Sequence, residues 1–208
     1  MEITWLGHAS FMINVDDKII YTDPYAGEYS LKADIILVSH EHYDHFAKDK
    51  ISLIRVDTTR IFGPRKVSSQ MEGVTNMNPG DERTIDGITI KAVPAYNTGK
   101  PFHPKGSGVG FLIETKNKTI YFAGDTDLIP EMPQIKADIV ILPVGGTYTM
   151  NAKEAAEAVA KIKPKIAIPM HYGSVAGTID DAEAFKEEVE AKTDSKVMIL
   201  KEGKSVKV

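Results

Sequence analysis

At 208 residues, with 42% hydrophobic and 26% charged residues and a mean hydropathy of -0.18, the chain has the make-up of one ordinary globular domain, 1–208, long enough to bury a core. A formal net charge of -4, with lysines spread along the chain, leaves no electrostatic footprint for nucleic acid, and no window approaches the roughly eighteen apolar residues of a membrane span. Zero cysteines exclude disulfides, thiolate metal sites and a cysteine nucleophile, so any metal must be held by nitrogen and oxygen.

Met1–Trp5 shows no basic region leading into an apolar stretch, and a cytoplasmic location is expected. Strands are predicted at 3–6, 10–15 and 18–22, with an Asp16-Asp17 turn between the last two, as an antiparallel meander. The run 33–39 reads as a buried strand, followed by strands near 60–62 and 88–93. The second half repeats the theme with strands at 109–114 and 119–123 around a Lys116-Asn117-Lys118 turn, then 139–142. Asn151 and Glu154 have the spacing of a capping box, opening a helix with Ala155, Ala156, Val159 and Ile162 on one face. Pro164 stops it, 165–169 reads as strand, and 180–191 is a second helix with Ala182, Phe185 and Val189 inward. Two halves of this kind suggest two sheets packed face to face with helices outside.

The chemistry concentrates where strands end. His40-Glu41-His42-Tyr43-Asp44-His45 packs three of the chain's six imidazoles and a carboxylate into one short segment after an apolar run. Imidazole nitrogen and carboxylate oxygen suit zinc, manganese or iron, and a protein core has no packing use for such a cluster. So short a segment cannot easily give all its donors to one ion, but it can serve two metals about 3.5–4 Å apart, the separation of two-metal hydrolytic sites. Further donors should come from other strand ends. Asp125 in Gly124-Asp125-Thr126 and His171 in Pro169-Met170-His171 meet that demand. Alone, each reads more simply as a turn aspartate or a structural histidine. Asp23, before Pro24, reads as a turn residue supporting the site, and His8 as a structural residue or a substrate contact. Glu41 and Tyr43 should point away from any metal.

The hexapeptide, the later Gly-Asp-Thr and the late histidine, in this order, resemble the metallo-β-lactamase-fold hydrolase superfamily. The opening Trp5-Leu6-Gly7-His8-Ala9-Ser10 and Thr22-Asp23-Pro24 look like its branch of metal-dependent hydrolases related to L-ascorbate-6-phosphate lactonases. The resemblance covers essentially the whole chain. It implies an α+β fold, a four-layer αββα sandwich, and two divalent metal ions, with zinc the default and manganese an alternative. His40 and His42 would bind the first metal, Asp44, His45 and His171 the second, and Asp125 both. The third histidine that the superfamily usually gives the first metal is displaced, because the corresponding strand end reads Ala95-Tyr96-Asn97. His103, on a loop folding back, is expected to fill that place, with Asn97 the weaker alternative.

The implied chemistry is hydrolysis of a small ester, lactone or phosphoester by metal-activated hydroxide, with Asp44 as the catalytic carboxylate that orients it or takes its proton. Lys105 and Tyr148 are candidates to stabilise developing negative charge. The expected partner is a small-molecule substrate, with no nucleic acid or membrane, and assembly into a homo-oligomer stays open. Alternatives are a phosphodiesterase or nuclease of the same fold, a redox diiron protein and a non-catalytic metal-binding protein. The diiron relatives resemble a pattern with glutamate in place of His42 and a flavin domain that is absent here.

Overall fold

A computed structural model describes residues 1–208. In chain order it contains strands β1 (Glu2–Gly7), β2 (Ser10–Val15), β3 (Lys18–Thr22) and β4 (Ile35–Leu37), helix α1 (Lys48–Ile54), β5 (Arg60–Gly63), helix α2 (Arg65–Ser68) and β6 (Val74–Asn76). Then follow β7 (Glu82–Ile85), β8 (Ile88–Ala95), β9 (Gly108–Glu114), β10 (Thr119–Phe122), a 3-10 turn at Met132–Gln134, and β11 (Ile139–Pro143). Helix α3 (Ala152–Ile162), β12 (Ile166–Met170), helix α4 (Ile179–Lys192), β13 (Lys196–Val197) and β14 (Ser205–Lys207) complete it. The chain divides into two compact units, residues 1–77 with 200–208, and residues 78–199. No helix is long and apolar enough to cross a membrane.

The first unit carries a seven-stranded mixed sheet in the order β14-β1-β2-β3-β4-β5-β6. The predicted meander forms through antiparallel β1–β2 and β2–β3 ladders, after which β3, β4, β5 and β6 run parallel. Register aligns Tyr21 with Ile36 and Ile36 with Ile61, so these three project from one face. There they form a buried cluster with Ile51 and Ile54 of α1 and Val67 of α2. Both helices are absent from the sequence-based expectation. α1 spans only seven residues and has no side-chain cap, so its apolar contact with the sheet, rather than local propensity, holds it.

The second unit carries the other seven-stranded sheet, ordered β13-β12-β11-β10-β9-β8-β7. Strands β7 to β10 form an antiparallel meander, and β10, β11, β12 and β13 are parallel. α3 packs on β11, α4 on β12 and β13, and the two helices on each other. The capping box at Asn151 is present in full, with Asn151 Oδ1 accepting from Glu154 N at 3.0 Å and Glu154 Oε2 from Asn151 N at 2.9 Å. Asn151→Ala should therefore cost about 1 kcal/mol in urea denaturation. An unchanged midpoint would mean that the cap adds nothing.

These topologies decide where side chains gather. In the first sheet β1, β3 and β4 share one direction, so their C-terminal ends, followed by His8, Asp23 and Ser39-His40, lie along one edge. In the second sheet β8, β10 and β12 share a direction, and their ends lead to Asn97, Asp125 and His171.

Candidate metal centre

Seven residues other than glycine have positive φ, and three of them are His8 (52°), Asp23 (41°) and His171 (60°), each directly after its strand. The others lie in tight turns or at the C-terminus of α3. Strain of this kind collects where a site needs a side chain turned against backbone preference.

In the first unit Asp23 is the hub. Fully buried, its carboxylate accepts from Ser39 N (2.6 Å), Ser39 Oγ (2.6 Å) and His45 Nδ1 (2.7 Å). Burial pushes its carboxyl above the usual range, while His45 and Ser39 pull the other way. Proton counting then orients two rings. With Asp23 as the carboxylate, Ser39 spends its single hydroxyl proton on it, so His40 Nδ1, 2.9 Å from Ser39 Oγ, is the donor, and His45 Nδ1 likewise carries the proton it gives to Asp23. The Nε2 atom of each ring keeps its lone pair, the arrangement that metal-binding histidines have when a neighbouring group holds the other nitrogen.

Around this hub the hexapeptide folds into a tight turn, with His45 N and Phe46 N both donating to His42 O. His40 Nε2 and His42 Nδ1 are 3.1 Å apart. Two nitrogens bound about 2.0–2.1 Å from one tetrahedral cation lie about 3.3 Å apart, so the pair fits a shared ion. Asp44 Oδ2 is 3.0 Å from His8 Nε2 and 3.7 Å from His45 Nε2. His8 is thus buried against the Asp44 carboxylate. Glu41 turns to Lys66, while Tyr43 is 68% exposed and meets Tyr25 edge-on.

In the second unit three residues far apart in sequence converge. His171 Nε2 lies 3.1 Å and His103 Nε2 3.4 Å from the same oxygen, Oδ2 of Asp125, and all three residues are buried. The loop after β8 does fold back, with Asn97 N donating to His103 O at 2.7 Å and Asn97 Oδ1 accepting from His103. Asp127, two residues past Asp125, accepts from Lys100 Nζ (2.6 Å), Thr98 N (2.9 Å) and Asn97 Nδ2 (3.0 Å). Burial raises its carboxyl, but Lys100 and the Thr98 backbone outweigh it and leave the group below the usual carboxylate value. Lys105 pairs with Glu131 at 2.9 Å and lies over the Tyr96 ring, while Tyr148 meets Phe102 edge-on.

Each unit therefore gathers its own share of the predicted donors: His40, His42, Asp44 and His45 in one, His103, Asp125 and His171 in the other. The donor set is purely nitrogen and oxygen, with Nδ1 of His40, His45 and His103 each held by a neighbouring oxygen, and it fits divalent cations. Sequence reasoning did not give Ser39, Lys100 or Asp127 a role. Their only signal was position: Ser39 is one residue before His40, Asp127 two after Asp125 and Lys100 three before His103.

The model of the beta-lactamase superfamily domain matches residues 2–171. A UPF0173 metal-dependent hydrolase of Methanopyrus kandleri is 34% identical over 228 residues, covering 99% of this chain and 99% of its own. Another, of Pelotomaculum thermopropionicum, is 35% identical over 233 residues, covering all of both chains. Among solved structures, Igni18, a metallo hydrolase from the hyperthermophilic archaeon Ignicoccus hospitalis, superposes with a TM-score of 0.84 at 27% identity over 99% of this chain and 97% of that one.

Proposed function

Because the chain belongs to the beta-lactamase superfamily domain family and is a metal-dependent hydrolase, we propose that it hydrolyses a small ester, lactone or phosphoester at a centre of two divalent cations. Its α+β fold is the metallo-β-lactamase fold. In this reading His40, His42, Asp44 and His45 supply cation donors from one unit, and His103, Asp125 and His171 from the other. Zinc is the first expectation from the donor set, with manganese second. The observation that carries the reading is the pair of buried histidine clusters, each organised around a carboxylate, at strand ends.

Bound cations supply Lewis acidity and bring the pKa of water near neutrality. The protein's own groups do the rest. Asp44, held on one oxygen by His8, orients the attacking water and takes its proton. Asp23 and Ser39 keep His40 and His45 in the tautomers that expose Nε2. Both lysines of the 97–107 loop already have carboxylate partners, Lys100 with Asp127 and Lys105 with Glu131.

Purified protein should contain about two divalent ions per chain by elemental analysis. Chelation should abolish hydrolysis, and zinc or manganese should restore it. On a panel of esters, lactones and phosphodiesters, at least one class should turn over only with the metal-loaded protein. Inactivity of the metal-loaded protein on the whole panel would favour a non-catalytic metal-binding role, and phosphodiesters turning over faster would favour a phosphodiesterase.

A further inference from the structure

Asn97 stands where a metal-binding histidine was expected, and its hydrogen bonds define a different task. Its Nδ2 donates to Asp127 Oδ1 at 3.0 Å and to the Tyr148 carbonyl at 2.9 Å. The Tyr148 carbonyl can only accept, and the His103 backbone N–H can only donate. The amide therefore has only one consistent orientation, with NH2 toward Asp127 and Tyr148 and Oδ1 on the opposite side. Oδ1 faces His103, accepting from its backbone N at 2.9 Å and lying 3.1 Å from its Nδ1. An amide oxygen cannot donate, so Nδ1 of His103 must carry the proton. In the neutral ring, Nε2 then holds a lone pair directed at Asp125 Oδ2, 3.4 Å away. Two acceptors brought face to face in a buried site repel one another unless a metal cation lies against both or the ring takes a second proton.

We infer that Asn97 is a positioning residue for the metal centre: anchored by Asp127, Lys100 and the Tyr148 carbonyl, it locks His103 as the Nδ1–H tautomer and so makes Nε2 the donor to the cation. The anchor is itself pinned twice, since Lys100 Nζ also donates to the Thr149 carbonyl at 2.9 Å. The inference rests on the metal-dependent reading above and makes Asn97 a support for His103, not a ligand in its own right. It also explains how a histidine six residues along the loop takes the place of one at the strand end. The polar groups at the strand end no longer contact the ion but hold the ring that does.

The test uses full-length protein with 15N-labelled histidine, at a pH where imidazole is neutral. NMR reads the His103 tautomer in zinc-free and zinc-loaded samples, and chelator competition reads zinc affinity. Asn97→Leu, which removes both amide functions at similar size, should leave His103 in mixed tautomers and weaken one bound zinc by about 10–100-fold. The exchanged pair Asn97→Asp with Asp127→Asn keeps an acceptor toward His103 and one donor–acceptor contact behind it, while giving up the contacts to the Tyr148 carbonyl and Lys100. It should retain the single tautomer, and it remains informative if the leucine variant misfolds. Wild-type affinity and one Nδ1–H tautomer in Asn97→Leu, or mixed tautomers in the exchanged pair, would overturn the role of Asn97. Failure of the unaltered protein to bind divalent cations would overturn the metal reading instead.

Discussion

Replacing Asp44 with asparagine is expected to lower kcat by about 10²–10⁴-fold at saturating divalent cation, the range over which a positioned proton acceptor contributes. The residue is buried, its Oδ2 is engaged by His8 Nε2 at 3.0 Å, and its orientation is therefore set before substrate arrives. Asparagine keeps the size and an oxygen for His8 but cannot take a proton from water. Steady-state kinetics across a zinc titration separates the two roles assigned to this side chain. A loss in kcat that persists at saturation belongs to proton transfer, whereas a loss cured by added zinc belongs to metal affinity. A variant with wild-type kcat would remove Asp44 from the chemistry. His8→Gln, which can still offer an N–H toward Asp44, should cost far less than Asp44→Asn.

The second large effect is expected at a residue that never needs to touch substrate. Asp23→Ala removes the acceptor for three buried donors, Ser39 N, Ser39 Oγ and His45 Nδ1, at once. Stranding buried donors costs about 1–3 kcal/mol each, so the metal-free protein should lose on the order of 3–5 kcal/mol in urea denaturation, partly relieved by relaxation. With the anchor gone, His45 and His40 are free to take the opposite tautomer, and divalent-ion affinity should fall by about 10–100-fold. The combination is diagnostic. Loss of stability with full affinity would make Asp23 purely architectural, and loss of neither would mean that the network contributes little.

What the sequence revealed and what it concealed follow a physical division. Strands of the two meanders were readable because apolar runs there meet clear turn signals, such as Asp16-Asp17 and Lys116-Asn117-Lys118. Helix α3 was readable because its capping box is a local device. Helix α1 and the edge strand β7 were not. α1 owes its existence to Ile51 and Ile54 packing on Tyr21, Ile36 and Ile61, and the first three residues of β7, Glu82 to Thr84, are exposed and carry no apolar alternation. The same division runs through the candidate site. Histidines crowded at 40, 42 and 45 announce themselves because few other roles suit them. Asp23, Ser39, Asn97 and Asp127 are residue types that any turn uses, and their significance exists only once hydrogen bonds from distant strand ends reach them. His103 lies between these extremes. The gap at Asn97 pointed toward it, but only the folded loop explains how a buried amide holds its ring.

The proposed reading is that both clusters hold divalent cations, and anomalous diffraction from crystals grown with zinc or manganese reads this directly. Peaks are expected beside His40, His42, Asp44 and His45 and beside His103, Asp125 and His171. Peaks elsewhere on the molecule, or ions held by one cluster with the other untouched, would contradict it.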